Sequence, residues 1–131
     1  MTAKIIIGAT EDETRMGLVE DGRLMEYLVE RAEENHLVGS IFKGRVCNVV
    51  RGIQAAFIDI GLEQNAFLYL GDKMDVTEGQ SILVQISKDA RGTKGPTATR
   101  EVTLPGKYVV LLPYAFYIGV SRKITDKAER E

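Results

Sequence analysis

The sequence contains a single cysteine, Cys47, and a single histidine, His36, among 131 residues. A lone thiol makes no internal disulfide, and one thiol with one imidazole forms no zinc-ligand cluster, so neither a disulfide scaffold nor a zinc centre is expected. No run approaches the roughly twenty apolar residues that span a bilayer, and Ile5-Ile6-Ile7 is too short for a signal-peptide core. A cytoplasmic chain without a membrane span is the expectation. What is present is a composition 44% hydrophobic and 27% charged, which suits one compact domain or two small ones sharing a core.

The net charge of −2 is unevenly spread. Residues 1–38 hold four Lys/Arg against nine Asp/Glu, residues 39–103 eight against seven, and residues 104–131 five against three. Acidity is therefore confined to the N-terminal part. In the middle segment Lys88, Arg91, Lys94 and Arg100 cluster in sequence against Asp89 alone, a pattern that serves either as a solvated loop or as a phosphate-binding patch.

Alternation and turn residues predict mostly strands. Lys4 to Thr10, Thr14 to Glu20 and Arg23 to Val29 read as a meander, the last two flanking Asp21-Gly22, a hairpin dipeptide. Glu30 to Val38 is a polar connector. Ser40 to Val50, Gln54 to Ile60, Ala66 to Leu70 and Ser81 to Ser87, with a fifth strand from Thr97 to Thr103, suit a small closed barrel. After Leu104-Pro105-Gly106, Tyr108 to Leu112 reads as a buried strand, Ile118 to Lys123 as another, and Thr125 as the start of a charged helical stretch. Strand counting predicts that the two ends share one sheet, with the barrel inserted between them. The final helical stretch spans less than two turns, too short to be stable without continuation, and is expected to belong to something longer.

Two aromatics stand on the polar side of their strands. Ala56, Ile58 and Ile60 define an apolar face, leaving Phe57 on the other face with Asp59. Ala66, Leu68 and Leu70 do the same for Phe67 and Tyr69. Outward rings on a small β domain point to a stacking platform for unpaired bases, or to packing beneath a loop or another domain.

Gly39-Ser40-Ile41-Phe42-Lys43-Gly44-Arg45-Val46, then Gln54 to Gly61 and Ala66-Phe67-Leu68, resemble the S1 RNA-binding domain of the ribonuclease E/G family. Ile6 to Thr10, Val84 to Gly95, Tyr108 to Pro113 and Gly119 to Ile124 are also similar to that family, in its order. The resemblance implies a mainly β fold: a five-stranded OB-type S1 barrel at 39–103 inserted into a partial RNase H-like α/β subdomain formed by 1–38 and 104–131. It implies single-stranded RNA binding in RNA processing and decay, with Phe57, Phe67 and Lys94 as contacts. Position and charge alone add Tyr69, beside Phe67 on the same face, as an extension of the stack, and Arg91 and Arg100 as weaker contacts. Val110 falls beside that family's pocket for a 5′-monophosphate, whose arginine and threonine lie in later sequence.

The family's cutting chemistry resides in a later domain that holds magnesium on paired aspartates, and its zinc motif joins subunits. The expectation for these 131 residues is therefore no cofactor of their own, no cutting without the catalytic domain, and Asp12, Glu20 and Asp21 as surface charges rather than metal ligands. Two other readings stay open: a protein-docking OB module, and an enzyme in its own right, which needs carboxylates converging on magnesium.

Overall fold

The computed structural model describes residues 2–32, 34 and 36–131, and these divide into two compact units, one up to His36 and one from Leu37 onward. Within the connector expected from Glu30 to Val38, positions 33 and 35 lie outside the described residues.

The first unit is an antiparallel sheet of β1 (Ala3–Ala9), β2 (Glu13–Glu20) and β3 (Arg23–Arg31) in sequential order. Asp21 and Gly22 both take positive φ, 46° and 81°, in a two-residue turn closed by the Glu20–Arg23 pair. This is the backbone sign pattern of a type I′ turn, whose twist matches that of the flanking strands. A bulge between Leu18 and Val19 offsets the ladder to β3. Ile5, Ile7, Met16, Leu18 and Leu28 share one face by register, and Ile6, Val19 and Tyr27 the other. A sheet apolar on both faces is the pattern of an internal sheet layer.

The second unit is built on a closed barrel of β4 (Ile41–Val50), β5 (Ala55–Asp59), β6 (Ala66–Tyr69), β7 (Ser81–Lys88) and β8 (Thr97–Thr99), ordered β4-β5-β6-β8-β7. All pairings are antiparallel except β6 with β8. This is an OB-type barrel, and the chain is mainly β. Val46, Ala56, Ile58, Ala66, Leu68, Val84, Ile86 and Ala98 fill its interior, and among them Ala56, Ile58, Ala66 and Leu68 stand where the sequence pattern assigns them inward. Gly44 on β4 lets β5 approach: a Cβ there would stand 2.4 Å from Ile58 Cγ2 and 3.0 Å from the Asp59 carbonyl oxygen.

Among the described residues one polar side chain is buried. Gln85 donates through Nε2 to the carbonyls of Gly39 (3.0 Å) and Thr103 (2.9 Å) and accepts through Oε1 from the Thr103 amide (2.8 Å). It thus ties the point where the chain enters the barrel to the point where it leaves. Gln85→Leu strands these backbone groups and is expected to destabilise the second unit by about 1–3 kcal/mol, read as a lowered midpoint in urea unfolding.

The segment after the barrel departs from expectation. Of Tyr108 to Leu112 only Val110–Leu111 (β10) forms a strand, paired with Leu104–Pro105 (β9), and both residues are exposed. An apolar run reads as a buried strand by composition, but two ladder positions bury nothing. Ile118 to Lys123 is not a strand; the Ser121 side chain and carbonyl accept from the Lys123 and Ile124 amides in a local turn. The helix α1 is Lys127–Arg130, capped by Asp126 rather than Thr125. The Asp126 carboxylate accepts from the amides of Ala128 and Glu129. The fifth barrel strand stops at Thr99, because the chain turns away to meet Gln85 at Thr103.

Candidate functional site

The barrel brings one row of side chains into register across all five strands. Asn48 on β4 pairs with Phe57 on β5, Phe57 with Phe67 on β6, Phe67 with Thr97 on β8, and Thr97 with Lys88 on β7. Phe57 and Phe67 are half-buried, between fully buried neighbours on their own strands. Their ring centroids lie 5.9 Å apart with planes at 72°, an edge-to-face pair that fixes each ring against the other. Each ring keeps accessible surface, and the pair is flanked by an amide at one end of the row and an ammonium at the other.

Asn48 has no role assigned from the sequence and Lys88 only a place in the basic cluster, not in the aromatic row, and the reason is geometric. Val46 and Ile86 point inward, so strict alternation turns Asn48 and Lys88 inward as well. A bulge lies between Val46 and Asn48, and another between Ile86 and Lys88. Each adds one residue and rotates the following side chain outward. Both residues are exposed as a result.

Lys94 reaches this region through a tight turn. The Arg91 and Lys94 amides donate to each other's carbonyls at 3.0 Å, closing a two-residue loop with Gly92 at φ +58°. Gly95 then lies flat against β6: a Cβ there would stand 2.1 Å from the Asn65 carbonyl oxygen. Gln64 Nε2 donates to the Gly92 carbonyl (3.4 Å) and the Phe67 amide to the Pro96 carbonyl (2.8 Å). The Lys94 loop is thus fastened beside the strand that carries Phe67, with the Arg91 and Lys94 side chains exposed.

Tyr69 follows Phe67 on the same face of β6 and is 62% exposed. Arg100 is committed elsewhere. Its guanidinium lies 2.9 Å from Asp75, and this hydrogen bond holds the Asp75 carboxyl below its ordinary pKa. Arg100 therefore meets a phosphate only in competition with a carboxylate. Val110 is exposed on β10. Cys47 is a free, exposed thiol at the β4 bulge. Among the described residues no group of three or more His, Cys, Asp or Glu side chains gathers as a metal site, and no helix is long and apolar enough to cross a membrane. Asp21, one of the N-terminal acids, accepts from the Thr2 amide at 3.0 Å.

No protein-family model matches the chain. Among curated proteins it is similar to ribonuclease G of Salmonella typhimurium (strain SL1344), 40% identical over 152 aligned residues covering 100% of this chain. Ribonuclease G of Haemophilus influenzae is 38% identical over 97% of the chain, and ribonuclease E of a Nostoc species 38% identical over 99% of it. The chain spans only 31%, 30% and 20% of those proteins' respective lengths.

Proposed function

Because the chain belongs to the ribonuclease E/G family, we propose that it holds single-stranded RNA on the outer face of an S1-type barrel and leaves cutting to sequence beyond these residues. The observation that carries this reading is the Phe57–Phe67 pair in register with Asn48 and Lys88 on a closed OB-type barrel. Bases stack on accessible rings with little sequence preference, since every base has a π face. The rings grip, and the cations set the phosphate path. Lys94, with Lys88 and Arg91 nearby in sequence, supplies charge that releases counterions from the RNA backbone.

The reading takes residues 39–103 as the S1 domain, residues 1–38 as the N-terminal strands of an RNase H-like subdomain, and residues 104–131 as its return segment. The Gln85 clamp at Gly39 and Thr103 supports those boundaries. So does the two-sided apolar pattern of β1–β3, which calls for cover on both faces. Magnesium and zinc would then be bound only by the full-length enzyme, and its role would be the processing and decay of ribosomal and messenger RNA in the cytoplasm.

Binding of fluorescent single-stranded RNA as a function of salt tests the phosphate assignment. Lys94→Ala is expected to weaken binding for all sequences alike and to reduce the slope of log K against log salt by about 0.7, the increment for one single-strand phosphate contact. An unchanged slope removes Lys94 from the path. Incubation of labelled RNA with the pure chain and magnesium is expected to leave it intact, and cleavage there would revive the reading of an enzyme in its own right.

A further inference from the structure

Beyond the Phe57–Phe67 pair, the same face of β6 leads to a second feature. Tyr69 lies two residues past Phe67, roughly 7 Å further along the strand. Its hydroxyl donates to Gln54 Oε1 at 3.2 Å, and Gln54 Nε2 donates to Asp72 Oδ1 at 3.2 Å. Gln54 itself sits in the left-handed region, φ 50° and ψ 46°, where a non-glycine residue is uncommon. Its amide donates to the Arg51 carbonyl at 3.1 Å and its carbonyl accepts from the Leu70 amide at 2.8 Å, so the unusual backbone is pinned at both its polar groups. An exposed ring is thereby held by its polar tip. Next to it opens a polar pocket of about 410 Å³ lined by Tyr69, Leu70, Lys73, Thr99, Arg100 and Glu101.

Resting on the RNA-binding reading above, we infer that Tyr69 and this pocket form a third nucleotide subsite, in which the base stacks on the Tyr69 ring and Lys73 pairs with the adjoining phosphate. The path then runs along β6, from the Lys94 loop beside Asn65, over Phe67 and Phe57, to Tyr69 and Lys73. Of the two cations lining the pocket, Arg100 is hydrogen-bonded to Asp75, whereas Lys73 feels that carboxylate only as a nearby charge, which leaves its ammonium the readier of the two to turn to phosphate. Gln54 is a positioning residue: by holding the Tyr69 hydroxyl it orients the ring before RNA arrives, which lowers the ordering cost of stacking. Glu101 is the one carboxylate lining the pocket, and a carboxylate there disfavours phosphate and suits a ribose 2′-hydroxyl, a group that DNA lacks.

The test is the length dependence of oligouridylate binding, from two to six nucleotides, for the wild-type chain and for Tyr69→Ala, Tyr69→Phe and Lys73→Ala. Wild type is expected to gain about tenfold in affinity when the oligomer becomes long enough to reach Tyr69, the size of one stacked base. Tyr69→Ala abolishes that step. Tyr69→Phe keeps the ring but releases it from Gln54, so the step shrinks and returns on cooling. Lys73→Ala shrinks the step at low salt and leaves it near the wild-type size at high salt, where the ammonium is screened in both proteins. A length step that survives Tyr69→Ala overturns the subsite while leaving the RNA-binding face intact. Failure of every oligomer to bind overturns the RNA-binding reading and the subsite with it. Thermal melting of each variant separates these losses from unfolding.

Discussion

Truncating either phenylalanine is expected to lower the affinity for single-stranded RNA by about 5- to 150-fold, the equivalent of roughly 1–3 kcal/mol for one stacked base. Phe57→Ala removes one ring and also the edge that orients the other, because the centroids are only 5.9 Å apart. The double variant should therefore lose less than the sum of the single losses, the signature of residues in contact. Phe57→Tyr and Phe67→Tyr keep the π face and are expected to bind within a few-fold of wild type. Half-burial means that each alanine variant also loses some packing, of the order of 0.5–1.5 kcal/mol for an aromatic pair. Equilibrium titration alongside urea unfolding separates the two effects: affinity must fall at temperatures where the variant remains folded.

Gly95→Ala carries the second large effect, and it acts through backbone. The added Cβ would stand 2.1 Å from the Asn65 carbonyl oxygen and 3.2 Å from its carbonyl carbon, and neither belongs to a flexible side chain that can swing away. Either the Lys94 loop lifts from β6 or the start of β6 moves. Overpacking of this kind costs about 1–3 kcal/mol, sometimes more. Because Lys94 is the adjacent residue, RNA affinity should fall further than stability alone explains, and the dependence on salt should flatten as in Lys94→Ala. Gly44→Ala is the control. It meets Ile58 Cγ2 at 2.4 Å and the Asp59 carbonyl oxygen at 3.0 Å, on β5 rather than at the Lys94 loop. It should destabilise the barrel without changing the salt dependence of whatever binding remains. Urea midpoints and salt titrations of both variants check the pair of expectations.

The barrel was legible in the sequence because its strands obey a period of two. Ala56, Ile58, Ala66, Leu68, Val84 and Ile86 all turn inward where alternation puts them, which leaves Phe57, Phe67 and Tyr69 outside. The Asp21-Gly22 turn was legible for a different reason, since two successive positive φ values demand residues of that type. Bulges were not legible. The extra residues at Cys47 and Ser87 break alternation, so the places of Asn48 and Lys88 in the aromatic row could not be read from the sequence. The pairing of Arg100 with Asp75 was hidden as well, because it joins residues 25 positions apart in sequence whose meeting depends on the loop between β6 and β7.

The C-terminal segment shows where composition misleads. Tyr108 to Leu112 has the apolar content of a buried strand, yet Tyr108 is 87% and Val109 74% exposed, and only two residues of the run enter a ladder. Hydrophobicity states what a segment gains by being covered; it does not supply the cover. The Gln85 clamp is the opposite case, a polar residue within an inward-reading strand whose three backbone bonds became visible only once Gly39 and Thr103 were brought together.

The measurement that bears most directly on the central claim is a titration of unlabelled single-stranded RNA into the ¹⁵N-labelled chain, followed by amide chemical shifts. The account predicts shifts concentrated on Asn48, Phe57, Phe67, Lys88 and the Arg91–Lys94 turn, fading as salt rises, with β1–β3 unmoved. Shifts confined to other surfaces, or none at low salt, would contradict it and leave the outward rings to a protein partner.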